Sequence, residues 1–89
     1  MKAILTVIGK DRIGIIAAVS KILADSNINI LDISQTIMQG FFTMIMLVDI
    51  SQMSLNFSEI SERLDKKGQE LGLSIRLQHE DIFNAMHRI

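Results

Sequence analysis

Two stretches of this chain, Lys2 to Ile8 and Phe41 to Ile50, are apolar on both alternating faces. Ala3, Leu5 and Val7 oppose Ile4, Thr6 and Ile8 in the first, and the second is apolar at almost every residue. Successive side chains of a strand point to opposite sides. Both stretches therefore read as strands covered on two faces. Such strands fit a layered fold in which other elements, or another chain, supply the covers.

Between them the period changes. Ile15, Val19, Ile22 and Leu23 fall at i, i+4, i+7 and i+8, one stripe of a helix. Gly9 to Gly14 before it is a polar loop with two glycines, and Asp11 is the candidate N-cap. Asn27 is the expected stop, since Asn tolerates the left-handed conformation past a helix end. Ile28 to Met38 reads as a second strand whose apolar parity slips between Ile30 and Leu31, predicting a bulge near Asp32. Gln39-Gly40 then predicts a tight hairpin into Phe41 to Ile50, and Ser51 to Ser54 a loop.

A second helix starts at Asn56, with Glu59 three residues on and Leu55 and Ile60 at the staple positions. Its stripe is Phe57, Ile60, Leu64 and Leu71, with Gly68 in a large residue's place and Gly72 as the expected stop. Lys66-Lys67 near its end suits the helix dipole better than a phosphate patch. Leu73, Ile75 and Leu77 alternate with Ser74, Arg76 and Gln78 as a half-buried fourth strand. Asp81 can cap a short last helix, Ile82 to Met86.

The order is β-α-β-β-α-β plus a short C-terminal helix. With right-handed crossovers it gives an α+β, ferredoxin-like sandwich: a four-stranded antiparallel sheet with two helices on one face. Two helices cover one face only. Self-association, or the last helix with Ile82, Phe83 and Met86, is expected to cover the other.

Composition narrows the function. Eighty-nine residues make one domain. With 48% hydrophobic and 21% charged residues the chain is not disordered. Net charge −1, no Trp or Tyr and four Phe argue against a nucleic-acid grip or an anionic membrane surface. No cysteine means no disulfide or thiol chemistry. No apolar run of 18 residues and no signal-peptide pattern occur, so a cytoplasmic location is expected. His79 and His87, with Glu80, do not converge as metal ligands along a strand and helix, so no metal and no cofactor is expected. Met38, Met44 and Met46 read as adaptable core or interface filler.

The run Val7-Ile8-Gly9-Lys10-Asp11-Arg12-Ile13-Gly14-Ile15-Ile16, followed by Asn27-Ile28-Asn29-Ile30, resembles the ACT domain over the whole chain, residues 1–89. It is similar to the small stand-alone members related to glycine-cleavage-system repressors, as is the ending Gln78-His79-Glu80-Asp81-Ile82-Phe83. The resemblance implies a regulatory module, not an enzyme. It implies a homodimer binding an amino acid or related metabolite at its interface and signalling to a protein partner. The implied ligand-binding positions are Asp11, Arg12, Ile13, Gly14, Ile15 and Asn29, the last often acting across the dimer. Two departures stand out: Ile13 replaces the common Pro, and Gly9 sits where some amino-acid-binding members carry His.

The residues support the same chemistry. A helix N-terminus offers unpaired N–H groups to a carboxylate, and Asp11 and Asn29 can accept from an ammonium, so a zwitterion satisfies both. Each position also has a structural role open to it: a cap for Asp11, packing for Gly14, a strand-start hydrogen bond for Asn29, a solvated charge for Arg12. The alternative function is a ligand-free dimerisation or interaction module, which the missing His at Gly9 favours. Acylphosphatase-like hydrolysis has only Arg12 and Asn29 in its favour and lacks a glycine-rich phosphate cradle.

Overall fold

The alternation of periods becomes six elements in the structure, a computed structural model that describes residues 1–81. They are β1 (Lys2–Lys10), α1 (Ile15–Asp25), β2 (Asn29–Met38), β3 (Phe41–Asp49), α2 (Phe57–Leu71) and β4 (Leu73–His79). The strands pair antiparallel in the order β2-β3-β1-β4. This is the expected ferredoxin-like sheet. The expected last helix, Ile82 to Met86, and His87 lie outside the described residues.

The core lies between one sheet face and the two helices. Register puts Leu5 opposite Met46 on one side and Leu77 on the other, with Val7 between Met44 and Ile75. Ile15, Val19 and Leu23 of α1 and Ile60 and Leu64 of α2 close over them. Met44 and Met46 are core residues, whereas Met38 is exposed.

Cover on both faces, expected for β1 and β3, holds only in part. On the outer face Ile4 is 9% exposed, but Ile8 is 47%, Ile45 40% and Phe41 56% exposed. Both helices pack on the inner face, and the strands' second apolar set is left open at the Ile8–Phe41 end.

Local signals decide most boundaries. β1 runs on through Gly9 and Lys10 because they pair with Phe42 and Phe41, which shortens the loop to Asp11–Gly14. α1 ends as Asn27 predicts: its φ is 58°, its N–H donates to Ala24 O at 3.1 Å, and Ile28 N–H donates to Leu23 O at 2.9 Å. This is a complete Schellman motif, with Ile28 and Leu23 both buried. Ile28 thus belongs to the helix stop and not to β2. Leu31 is the bulged residue, since Ile30 pairs with Val48 and Asp32 with Leu47. Gln39 (φ 51°) and Gly40 (φ 82°) are both left-handed, as a type I′ hairpin turn requires.

Asn56 Oδ1 accepts from Glu59 N–H at 2.9 Å, and Glu59 Oε1 accepts from the Asn56 side-chain amide at 2.7 Å. Gly72, φ 69°, stops α2. Gly68 has a definite role. A Cβ there would meet the Leu73 carbonyl oxygen at 2.8 Å and Ile75 Cγ1 at 3.2 Å, so the missing side chain lets α2 lie directly on β4. Lys66-Lys67 sits earlier than expected for a dipole pair. The last turn of α2 has no basic residue, and Lys67 instead pairs with Glu70 at 3.0 Å.

Candidate functional site

β2 is an edge strand with all ten residues exposed, including Ile30, Leu31, Ile33, Ile37 and Met38. The N-terminal end of α1 lies beside the helix-side face of β2. A groove of about 490 Å³ opens between them. The Asp11–Gly14 loop closes one end, Ile15, Ile16 and Ala17 form one wall, Gln35 and Ile37 the other, and Phe42 lies at the base.

The loop is held at three points. Asp11 N–H donates to Gly40 O at 2.8 Å, tying the loop to the hairpin. Arg12 Nη1 donates to Leu71 O at 3.1 Å, so Arg12 caps the last turn of α2 and is not a free solvated charge. Gly14 is the N-cap, with φ 93°, and its carbonyl accepts from Ala18 N–H at 2.9 Å.

The expectation that Asp11 caps α1 is therefore corrected. Asp11 lies three residues before the cap, too early for its carboxylate to meet the first-turn N–H groups. No side chain caps this helix, and its first turn has no acidic residue. The donors of that turn face the groove end with their partial positive charge. A Cβ on Gly14 would meet nothing within 4 Å, so the glycine serves the backbone angle and not close packing.

Of the six expected positions, Asp11, Arg12, Gly14 and Ile15 line the groove. Ile13 is fully exposed and does not line it. Asn29 lies at the other end of β2, paired with Asp49, and does not meet the loop within one chain. There the Asp49 carboxyl is held below the usual carboxylate range, first by the Ser51 hydroxyl and then by the Ser51 N–H, which donates at 2.9 Å. The N-terminal ammonium lies 3.8 Å away.

Sequence reasoning missed Ile16, Ala17, Gln35, Ile37 and Phe42. Their only signal was position: β2 parity past the bulge puts Gln35 and Ile37 on the helix side of the sheet. A Cβ on Gly9 would lie 2.5 Å from Leu73 Cδ2, so any larger residue there requires the Leu73 side chain to shift.

A second hollow, of about 600 Å³, lies at the opposite end among Met1, Lys2, His79, Glu80 and Asp81. It holds none of the loop residues, and the His79 ring stacks on Phe57 with centroids 4.1 Å apart. Among the described residues no three His, Asp or Glu side chains are grouped to hold a metal. No described helix is long and apolar enough to cross a membrane.

The family model described as "ACT domain" matches residues 2–78. A UPF0237 protein of Clostridium acetobutylicum is 62% identical over 89 residues, covering 100% of both chains. The solved structure of an ACT domain protein from Streptococcus pneumoniae superposes with a TM-score of 0.81 at 42% identity, covering 98% of each chain. A structure named for a glycine cleavage system transcriptional repressor superposes with a TM-score of 0.74 over 86% of this chain and 44% of its own. At 24% identity it shares the fold.

Proposed function

Because this chain belongs to the ACT domain family, we propose that it is a regulatory, non-enzymatic sensor that binds an amino acid in the groove beside α1 and acts as a homodimer. The observation that carries this reading is the groove itself. One end offers an uncapped helix start beside a carboxylate, and one wall is an unpaired strand edge. The helix start suits a carboxylate and Asp11 an ammonium, so an α-amino acid satisfies both.

The dimer follows from β2. A long, apolar, unpaired edge invites strand pairing with a second chain. A two-fold antiparallel pairing centred on Ser34, with Leu31 bulged out, would set Asn29 of one copy against Met38 of the other. That brings a second polar group toward the groove end, where a single chain has none from Asn29. Ligand bound between copies would stabilise the dimer by mass action, and a separate protein would read the change.

A second reading, a ligand-free dimerisation module, draws on Gly9, where Leu73 fills the space a recognition side chain would need. Thermal unfolding against the twenty amino acids, with light scattering on the same sample, tests both. Dimer stabilisation by one amino acid, lost in Asn29→Ala, supports the sensor. A stable dimer with no shift for any of them supports the ligand-free module and sinks the sensor.

A further inference from the structure

On the premise that the groove holds an amino acid, we infer that its ligand carries a bulky apolar side chain, branched or aromatic. The groove divides chemically along its length. Its two ionisable residues, Asp11 and Arg12, both belong to the loop at one end. Arg12 already spends a guanidinium N–H on Leu71 O. Beyond the loop the walls are Ile16, Ala17, Ile37 and Phe42, with Gln35 the single polar side chain among them.

The polar end fixes the backbone of the ligand, so the ligand side chain must extend along the apolar walls. A charged side chain there would lose water and gain one neutral amide, an unfavourable exchange. A hydrocarbon side chain loses nothing polar. Each methylene it buries should tighten binding about fourfold, so leucine should exceed alanine by on the order of fifty-fold.

Size follows from Ala17. A methyl on the helix wall leaves the space opposite Ile37 open, and about 490 Å³ is within the range of small-molecule sites. Ile37 faces that space from β2 while remaining 55% exposed, so it can be changed without disturbing the core. Glycine, alanine and serine would leave the far part of the groove unfilled.

Calorimetric titration with leucine, isoleucine, valine, phenylalanine, alanine, serine, glutamine, aspartate and lysine is the test. Ala17→Leu, which narrows the groove, and Ile37→Ser, which makes its wall polar, are titrated beside the unaltered protein. Circular dichroism and light scattering verify that each variant is folded and in the same oligomeric state. The expected result is tightest binding by one of the four bulky apolar amino acids. That binding falls at least tenfold in both variants. Tightest binding by alanine, serine, glutamine, aspartate or lysine overturns the inference and leaves the amino-acid sensor standing. Binding of no amino acid by the unaltered protein overturns both. Bulky apolar binding that neither variant weakens puts the side-chain site elsewhere and also overturns the inference.

Discussion

Helix α2 begins on Asn56, whose side chain accepts the Glu59 N–H at 2.9 Å, while α1 begins on Gly14, where no side chain accepts anything. The second helix satisfies its own first turn and carries an acidic residue there. The first leaves its donors toward a groove. The stops run the other way: α1 ends in a full Schellman motif, and α2 ends on Gly72 with an added cap from Arg12 across the fold. The contrast separates two uses of one motif. α2 is a structural helix laid tightly on β4 through Gly68, and α1 presents an open start beside the edge strand β2.

The largest effect should come from the tight side. Gly68→Val drives a side chain into the Leu73 carbonyl and should destabilise by about 1–3 kcal/mol in urea unfolding. A loss under about 0.5 kcal/mol would mean that α2 has room to move off β4. Next come the two starts. Asn56→Ala removes a side-chain cap and should cost about 1 kcal/mol. Gly14→Ala should cost about as much for a different reason, a Cβ forced into a left-handed backbone with no clash around it. Restoring stability at position 14 with Asn but not with Val would confirm that the angle is the cause.

A smaller effect sharpens the contrast most. Asp11 does not cap α1, so Asp11→Ala should change stability by less than about 0.5 kcal/mol. The same substitution should abolish the thermal shift given by an amino acid ligand. Destabilisation by a full cap's worth would instead return Asp11 to a structural role.

The smallest effect lies at the far end of β2. Folding lowers the Asp49 pKa, so its contribution to stability is present above the unfolded carboxylate value and fades as pH falls through the folded value. Ser51→Ala removes the hydroxyl that is the largest cause. The Asp49 titration followed by carboxyl NMR should then move up toward the ordinary range. An unmoved titration would assign the shift to the Ser51 N–H, which the substitution leaves in place, and then to the N-terminal ammonium and Lys2.

Much of this was legible along the chain because it depends on near neighbours. Asn27 fixed a helix stop, the parity slip after Ile30 fixed a bulge, Gln39-Gly40 fixed a turn, and Asn56 with Glu59 fixed a helix start. Each is a contact within a few residues, so local spacing carries it. The alternation of periods then allowed few folds, and the ferredoxin-like sheet followed from connection rules.

Tertiary structure decided what lies between distant residues. Gly14 rather than Asp11 starts α1 because Asp11 is drawn to Gly40 and Arg12 to Leu71, partners 29 and 59 positions away. Gln35 and Ile37 share a groove with the start of α1 because β2 is the sheet edge beside that helix. The same strand carries Asn29 to the opposite end, although Asn29 and the loop read as one constellation in sequence. The sequence by itself determined the elements and their order, since periodicity and capping are local. Which side chains share a groove depends on strand order and on where a helix stops covering a sheet, and no local pattern encodes either.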